Sequence, residues 1–257
     1  MIEAARAAAR AASDLLRGAQ ASQIRGKTNP RDLVTEWDVR SEECIRRVLG
    51  ELTPGVPVLG EELGGDTTGD ARWIVDPIDG TVNFAHGLPI WSVSIAFEEN
   101  GVITAGVVAA PVLGWWHEAT LGGGAVADGA PARVSEIAQF DHALLVTGFP
   151  YDRATSPENN FAEWEHMQRR AGACRRLGSA AIDLCLVARG WMDGYWERKL
   201  KVWDVAAASL IVTEAGGRVT DWAGAPPDLY AGSVVATNGA IHEELVAELG
   251  RVHQEHR

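Results

Sequence analysis

Ala5, Ala9, Ala12 and Leu16 fall on one helical stripe near the start of the chain, with Arg6, Arg10, Asp14 and Arg17 off it. That spacing predicts an amphipathic surface helix over residues 2–20. A second helix is predicted over residues 35–49, closed by Gly50 and then Pro54-Gly55. Short apolar runs at 56–59 and 73–75 read as strands. Each delivers acidic residues at its end: Gly60-Glu61-Glu62 after the first, Asp76-Pro77-Ile78-Asp79-Gly80-Thr81 after the second. Lys27-Thr28-Asn29-Pro30 reads as a turn, and residues 64–70 as a loop. From 91 to about 126 the period changes to two. Ser92, Ser94 and Ala96 alternate with Val93, Ile95 and Phe97, and Asn100-Gly101 is a strong hairpin signal. Val107-Val108 and Trp115-Trp116 continue the same antiparallel sheet.

Beyond about residue 140, strands at 144–146, 193–196 and 234–236 alternate with helices at 157–171, 179–189, 203–215 and 239–251. Gly216-Gly217 ends the third of these helices. The change of texture predicts an N-terminal α+β lobe over residues 1–142 and a C-terminal α/β lobe over 143–257. No flexible linker separates them, so a shared interface is expected.

Composition narrows the function classes. A chain of 257 residues, 46% apolar and 23% charged, suits a globular protein with a proper core. The net charge of −12 argues against a nucleic-acid-binding surface. It leaves room for a phosphorylated substrate, because carboxylates gathered around divalent cations can hold a phosphate. Arg169, Arg170, Arg175 and Arg176 read as a solvated face. Cys44, Cys174 and Cys185 are odd in number and form no CxxC pair, which suggests free thiols in a reducing, cytoplasmic setting. No apolar run is long enough for a membrane span. The Ala- and Arg-rich N-terminus lightly resembles a transit peptide, but its stripe favours a helix of the mature domain. His86, His117 and His142 are scattered and read as structural.

The candidate chemistry is acidic. Glu61 and Glu62 follow a glycine at a strand end, Asp76 and Asp79 flank Pro77 in a rigid turn, Asp204 opens a helix, and Asp38 lies at the start of the second helix. Carboxylates three apart on a proline turn repel each other and raise one another's pKa. A hard divalent cation removes that repulsion, and magnesium takes oxygen ligands of this kind, to which the Ile78 carbonyl can be added. Gly80 and Thr81 precede a short predicted helix, whose first N–H groups suit phosphate oxygens. The Thr81 hydroxyl could orient or deprotonate a water if Asp38 accepts in turn. Each segment alone has an ordinary reading: a turn for Asp-Pro-Ile-Asp-Gly, a solvated loop for Gly-Glu-Glu, an N-cap for Asp204. Together they are the parts for metal-assisted hydrolysis of a phosphate ester.

With these segments in view, the chain resembles the inositol monophosphatase family. GEE at 60–62, WIVDPIDGTVNFAHGLP at 73–89 and WDVAAASLIVTEAGG at 203–217 look like that family's metal-site segments. KTNPRDLVTEWD at 27–38 resembles its N-terminal loop, and GSAAIDLCLVARG at 178–190 the segment beside the substrate. The resemblance implies a layered αβαβα sandwich, a homodimer and lithium-sensitive activity. It implies two or three Mg2+ per active site, held by Glu61, Asp76, the Ile78 carbonyl, Asp79 and Asp204. It implies Thr81, Asp38 and Glu61 as catalytic groups. Asp79, Gly80, Thr81, Gly178, Ser179, Ala180, Glu197 and Asp204 are implied as substrate contacts, with Lys27 nearby on its loop. The expected activity is hydrolysis of a small polyol phosphate, most simply myo-inositol monophosphate, by metal-activated water without a phospho-enzyme. Histidinol phosphate, fructose 1,6-bisphosphate or another sugar phosphate is the alternative substrate. A non-catalytic regulatory binding protein is the second class, and the presence of every proposed ligand argues against it.

Overall fold

A computed structural model describes residues 1–27, 29–65 and 68–255. The turn expected at 27–30 and the loop at 64–70 include Thr28, Asp66 and Thr67, which lie outside the described residues.

Two helices, α1 (Ile2–Leu16) and α2 (Glu36–Leu52), are joined through a small antiparallel hairpin of β1 (Ile24–Gly26) and β2 (Leu33–Thr35). A seven-stranded sheet follows in simple sequence order. Its strands are β3 (Val58–Gly60), β4 (Ala71–Asp79), β5 (Ser92–Glu99), β6 (Val102–Ala110), β7 (Trp115–Thr120), β8 (Gly124–Ala127) and β9 (Ala130–Pro131). The β3–β4 pair is parallel and the others antiparallel. A short helix, α3 (Thr81–Ala85), follows β4 directly.

The second half of the chain holds β10 (Leu144–Thr147), α4 (Phe161–Arg170), β11 (Ala173–Arg175), α5 (Ala180–Ala188), β12 (Gly194–Arg198), α6 (Val202–Glu214), β13 (Arg218–Thr220), β14 (Ser233–Thr237) and α7 (His242–Glu255). Its five strands form a mixed sheet in the order β11-β10-β12-β14-β13.

Period-two alternation sorts the strand residues into layers. On the large sheet Trp73, Val75, Ile95, Phe97 and Val107 pack against Ala5, Ala9, Ala12 and Leu16 of α1 and Ile45 and Leu49 of α2. Their neighbours Ile74, Ala96 and Val108 face the other way, onto α5 and α6. Val146, Tyr195, Val234 and Ala236 of the small sheet cover the far side of the same two helices. Leu145, Trp196 and Val235 point outward to Met167 of α4 and to Leu245 and Leu249 of α7. The stack is therefore αβαβα, as expected. Helices α5 and α6 are apolar nearly all round because they are clad on both sides. Close seating of α6 requires Gly106: a Cβ there would stand 2.9 Å from the Ala207 carbonyl oxygen.

The elements differ from expectation in a few places. Helix α4 starts at Phe161 rather than 157, and β1, β2, β11 and β13 were not expected. Each of those strands has three residues, too few for alternation to be legible. Strand β4 extends beyond the expected 73–75 and carries Pro77 within it, where the pairing with β5 shifts register between Asp76 and Asp79. A proline is tolerated at such an irregularity because the ladder is already broken there. The three cysteines are free, and Cys174 and Cys185 are buried. Among the described residues no helix is long and apolar enough to cross a membrane.

Candidate active site

One cavity gathers Lys27, Glu61, Asp76, Ile78, Asp79, Gly80, Thr81, Gly178, Ser179, Ala180, Glu197 and Asp204. These residues come from loops and element ends spread over most of the chain. The register shift in β4 turns the Asp76–Asp79 segment away from the regular ladder, and Gly80 then enters the left-handed region at φ 97°. A side chain at Gly80 would be strained there, and a Cβ would also stand 3.1 Å from the carbonyl oxygens of Gly178 and Ile90. The close approach of these two backbones lets the β4–α3 turn meet the start of α5.

Asp79 joins the two halves of the site. Its carboxylate accepts the Ser179 hydroxyl and the backbone N–H groups of Ala181 (2.8 Å) and Ala180 (3.3 Å). Those amides open α5, so the charge rests on a helix N-terminus. Burial nevertheless pushes the Asp79 carboxyl up, to about 6, against the lowering effect of these donors.

Thr81 and Asp38 form a buried pair. The Thr81 hydroxyl lies 2.9 Å from Asp38 Oδ1 and 3.0 Å from the Ile78 carbonyl oxygen, two acceptors for one proton. The other Asp38 oxygen accepts the Thr35 backbone N–H (2.8 Å) and hydroxyl (2.6 Å), closing a capping box at the start of α2. Asp38 does not itself line the cavity; it stands behind Thr81.

Asp76 and Asp79 are buried, and Glu61 and Asp204 are partly exposed at the cavity wall. Burial raises the pKa of Glu61, and burial followed by the charges of Glu61, Asp79 and Asp204 raises that of Asp76 well above the carboxylate range. Asp204 is raised well above its usual range by burial and by the charges of Glu61 and Asp79. It also accepts the Lys201 backbone N–H at 2.7 Å: the N-cap is Lys201, and Asp204, three residues on, caps the helix from its N3 position while lining the cavity. Lys27 ion-pairs with Glu61 at 2.7 Å and with Glu62. Burial works against the Lys27 charge, and the two carboxylates more than offset it, so its pKa is raised.

Among the described residues no three His, Cys, Asp or Glu side chains stand as a ready-made metal cage. Each carboxylate is turned instead to a donor of the protein: Glu61 to Lys27, Asp76 to the Ile78 N–H, Asp79 to α5, Asp204 to its own helix cap. The donor set is all hard oxygen, and the mutual repulsion that adds to burial in raising these groups is what a divalent cation would relieve.

Several functional positions escaped sequence reasoning. Arg176, read as part of a solvated face, lines the cavity, and its guanidinium covers Gly178: a Cβ there would meet Arg176 Nη1. A run of arginines carries no period that separates the one turned inward from its neighbours. Asp32, Tyr151, Asp183, Lys199, Lys201 and Trp203 also line the wall. Glu42 of α2 is fully buried and accepts the backbone N–H groups of Glu62 (2.7 Å) and Leu63 (3.2 Å), with Arg46 bonded to it from the next turn. A Cβ at Gly60 would meet Glu42 Oε1 at 2.0 Å, so the glycine admits this prop. Its helical Glu-x-x-x-Arg spacing was visible but indistinguishable from a surface pair. Trp191 and Trp196 precede Glu197 in sequence and stay out of the cavity. Trp196 is fully buried on the outer face of the small sheet, and Trp191 packs edge-on against Trp115.

The chain's likeness to known proteins agrees with this geometry. The model of the inositol monophosphatase family matches residues 1–254. The chain belongs to the inositol monophosphatase family. It is 42% identical over 234 residues to the inositol-1-monophosphatase of a Synechocystis species, covering 90% of this chain and 82% of that one. It is 38% identical over 232 residues to the fructose-1,6-bisphosphatase/inositol-1-monophosphatase of Thermotoga maritima, covering 90% and 88%. The solved inositol monophosphatase of Anabaena superposes with a TM-score of 0.90 at 36% identity, over 97% of this chain and 95% of that one. As a member of the inositol monophosphatase family, the protein is a phosphoric monoester hydrolase.

Proposed function

We propose that this enzyme hydrolyses the phosphate monoester of a small polyol, foremost myo-inositol monophosphate, in a magnesium-dependent reaction. The observation that carries the reading is the convergence, in one cavity, of Glu61, Asp76, Asp79 and Asp204 on Thr81, with Asp38 behind it. Two or three Mg2+ would be held by Glu61, Asp76, the Ile78 carbonyl, Asp79 and Asp204. Bound magnesium would neutralise these carboxylates, polarise the phosphoryl oxygens and make a water more acidic.

The chain's own groups do the rest. Thr81, donating its proton to Asp38, keeps lone pairs free to accept from a water and so orients it. Burial raises the pKa of Asp38 despite the donors from Thr35 and Thr81, which makes it a better proton acceptor. Gly80 and Thr81 offer backbone N–H groups to phosphate oxygens. Glu197, held by the Tyr195 hydroxyl at 2.8 Å, faces the alcohol part with Gly178, Ser179 and Ala180. Lys27 closes the site on the Glu61 side.

A sugar bisphosphate is the second reading. The Thermotoga relative carries both activity names, and Arg176 offers a guanidinium at the cavity wall for a second anionic group. The family resemblance further supports lithium inhibition, a homodimer and a cytoplasmic enzyme. We also propose the division into lobes at 142/143, which falls between the two sheets.

The test is phosphate release with magnesium on inositol 1-phosphate, histidinol phosphate, fructose 1,6-bisphosphate and adenosine 3′,5′-bisphosphate. Preference for inositol 1-phosphate is expected. Preference for the fructose ester would establish the second reading, and failure on all four would overturn both.

A further inference from the structure

We propose that Asp183 is a specificity-determining residue that reads a hydroxyl of the substrate's alcohol part, beside Glu197 and Arg176. This rests on the polyol reading above and deepens it. Helix α5 runs Ala180-Ala-Ile-Asp-Leu-Cys-Leu-Val-Ala, and Asp183 is its sole polar residue. The side chain is 1% exposed, lines the active cavity, and its Oδ1 has no hydrogen-bond partner. An unpaired carboxyl oxygen inside an apolar helix is costly and calls for a ligand.

The ordinary explanation, a first-turn acid serving the helix end, does not apply. The N–H groups of Ala180 and Ala181 already go to Asp79, and that of Ile182 to the Ser179 hydroxyl. The backbone N–H of Asp183 goes to the Ser179 carbonyl. No amide of that turn is left for the Asp183 side chain. Its charged neighbours on the wall are Glu197, Asp79 and Arg176. Two carboxyl groups that accept or share a proton, next to a guanidinium that only donates, match adjacent hydroxyls, each of which can donate and accept. A site built to bond a hydroxyl leaves its own groups unpaired when the ligand lacks one, and so rejects that ligand.

The experiment compares kcat and KM on inositol 1-phosphate and on 4-nitrophenyl phosphate, whose alcohol part has no further hydroxyl, for the intact enzyme, Asp183→Asn and Asp183→Leu with magnesium. Asp183→Leu is expected to raise KM for the inositol ester by about 10- to 100-fold and to change kcat/KM for the aryl ester by less than about 3-fold. Asp183→Asn, of the same shape and still able to bond a hydroxyl, is expected to fall between and keeps the test alive if the leucine variant does not fold. A parallel change on both esters, or none on either, would overturn the role of Asp183. Absence of inositol ester turnover by the intact enzyme, with the aryl ester still cleaved, would instead overturn the polyol reading on which it rests.

Discussion

The Thr81 hydroxyl meets Asp38 Oδ1 at 2.9 Å across 43 residues of sequence, and both groups are buried. Asp38 is held from its other side by Thr35, so its orientation is set before Thr81 arrives. Replacing Asp38 by Asn keeps the size and the Oδ1 acceptor but removes the charge. Phosphate release is expected to fall by about 10²-fold, with KM little changed, as for loss of a general base. A variant with kcat within about 3-fold of the parent would remove Asp38 from the mechanism.

Asp76 sits among Glu61, Asp79 and Asp204, and their charges act on it after burial itself. Without metal at pH 8, Asp76→Asn is expected to raise stability by about 1 kcal/mol by relieving that repulsion. Magnesium at 100 times its Kd should stabilise the parent by about 2.7 kcal/mol and the variant by much less. Asp79→Asn should likewise lose magnesium-dependent turnover while remaining folded. Thermal melts with and without magnesium separate these effects; an unchanged response in Asp76→Asn would exclude it as a ligand.

His242 is fully buried, with Thr220 Oγ1 at 2.9 Å from one ring nitrogen and Thr237 Oγ1 at 2.9 Å from the other. Burial, then the charge of Arg218, lowers its pKa to about 4. The unfolded chain therefore binds the proton more readily between pH 6.5 and 4. The neutral ring's contribution is complete above 6.5 and is lost as pH falls through that window, amounting to roughly 2–3 kcal/mol. Glu62 and Glu197, raised to about 7 chiefly by burial, act with the opposite sign. Urea melts of the parent and His242→Gln at pH 7.5 and 4.5 isolate the histidine: the difference between the two proteins should shrink at the acid end. A constant difference would contradict a depressed His242.

Arg46 bonds Glu42 and the carbonyls of Val58 and Gly64, bracing the Gly60-Glu61-Glu62 loop. Arg46→Met leaves the buried Glu42 carboxylate without its cation and is expected to cost about 3 kcal/mol by urea unfolding. Affinity for magnesium should weaken as well, since Glu61 rides on that loop. A loss below about 0.5 kcal/mol would mean that the backbone N–H groups of Glu62 and Leu63 suffice to hold Glu42.

Much of this was legible in one dimension. The stripe of Ala5, Ala9, Ala12 and Leu16 is buried as read, and Ile95 and Phe97 do face away from Ala96. Glu61, Asp76, Asp79 and Asp204 line one cavity, while Asp38 and Glu62 do not. What lay hidden were groups whose local pattern has an ordinary meaning: Arg176 in an arginine run, Glu42 and Arg46 as a helical ion pair, and Asp183 as a first-turn acid.

By itself the sequence determined the longer elements, because a side chain's face follows from its position along a helix or strand, but not the three-residue strands. It also determined which residues carry hard oxygen donors, and their order along the chain. Only the tertiary structure decided that Asp79 rests on the start of α5, and that Asp183 and Arg176 line the same cavity as Glu197. Those relations depend on how sheets and helices stack and on the close backbone approach at Gly80, and contacts between distant segments leave no period in the sequence that forms them.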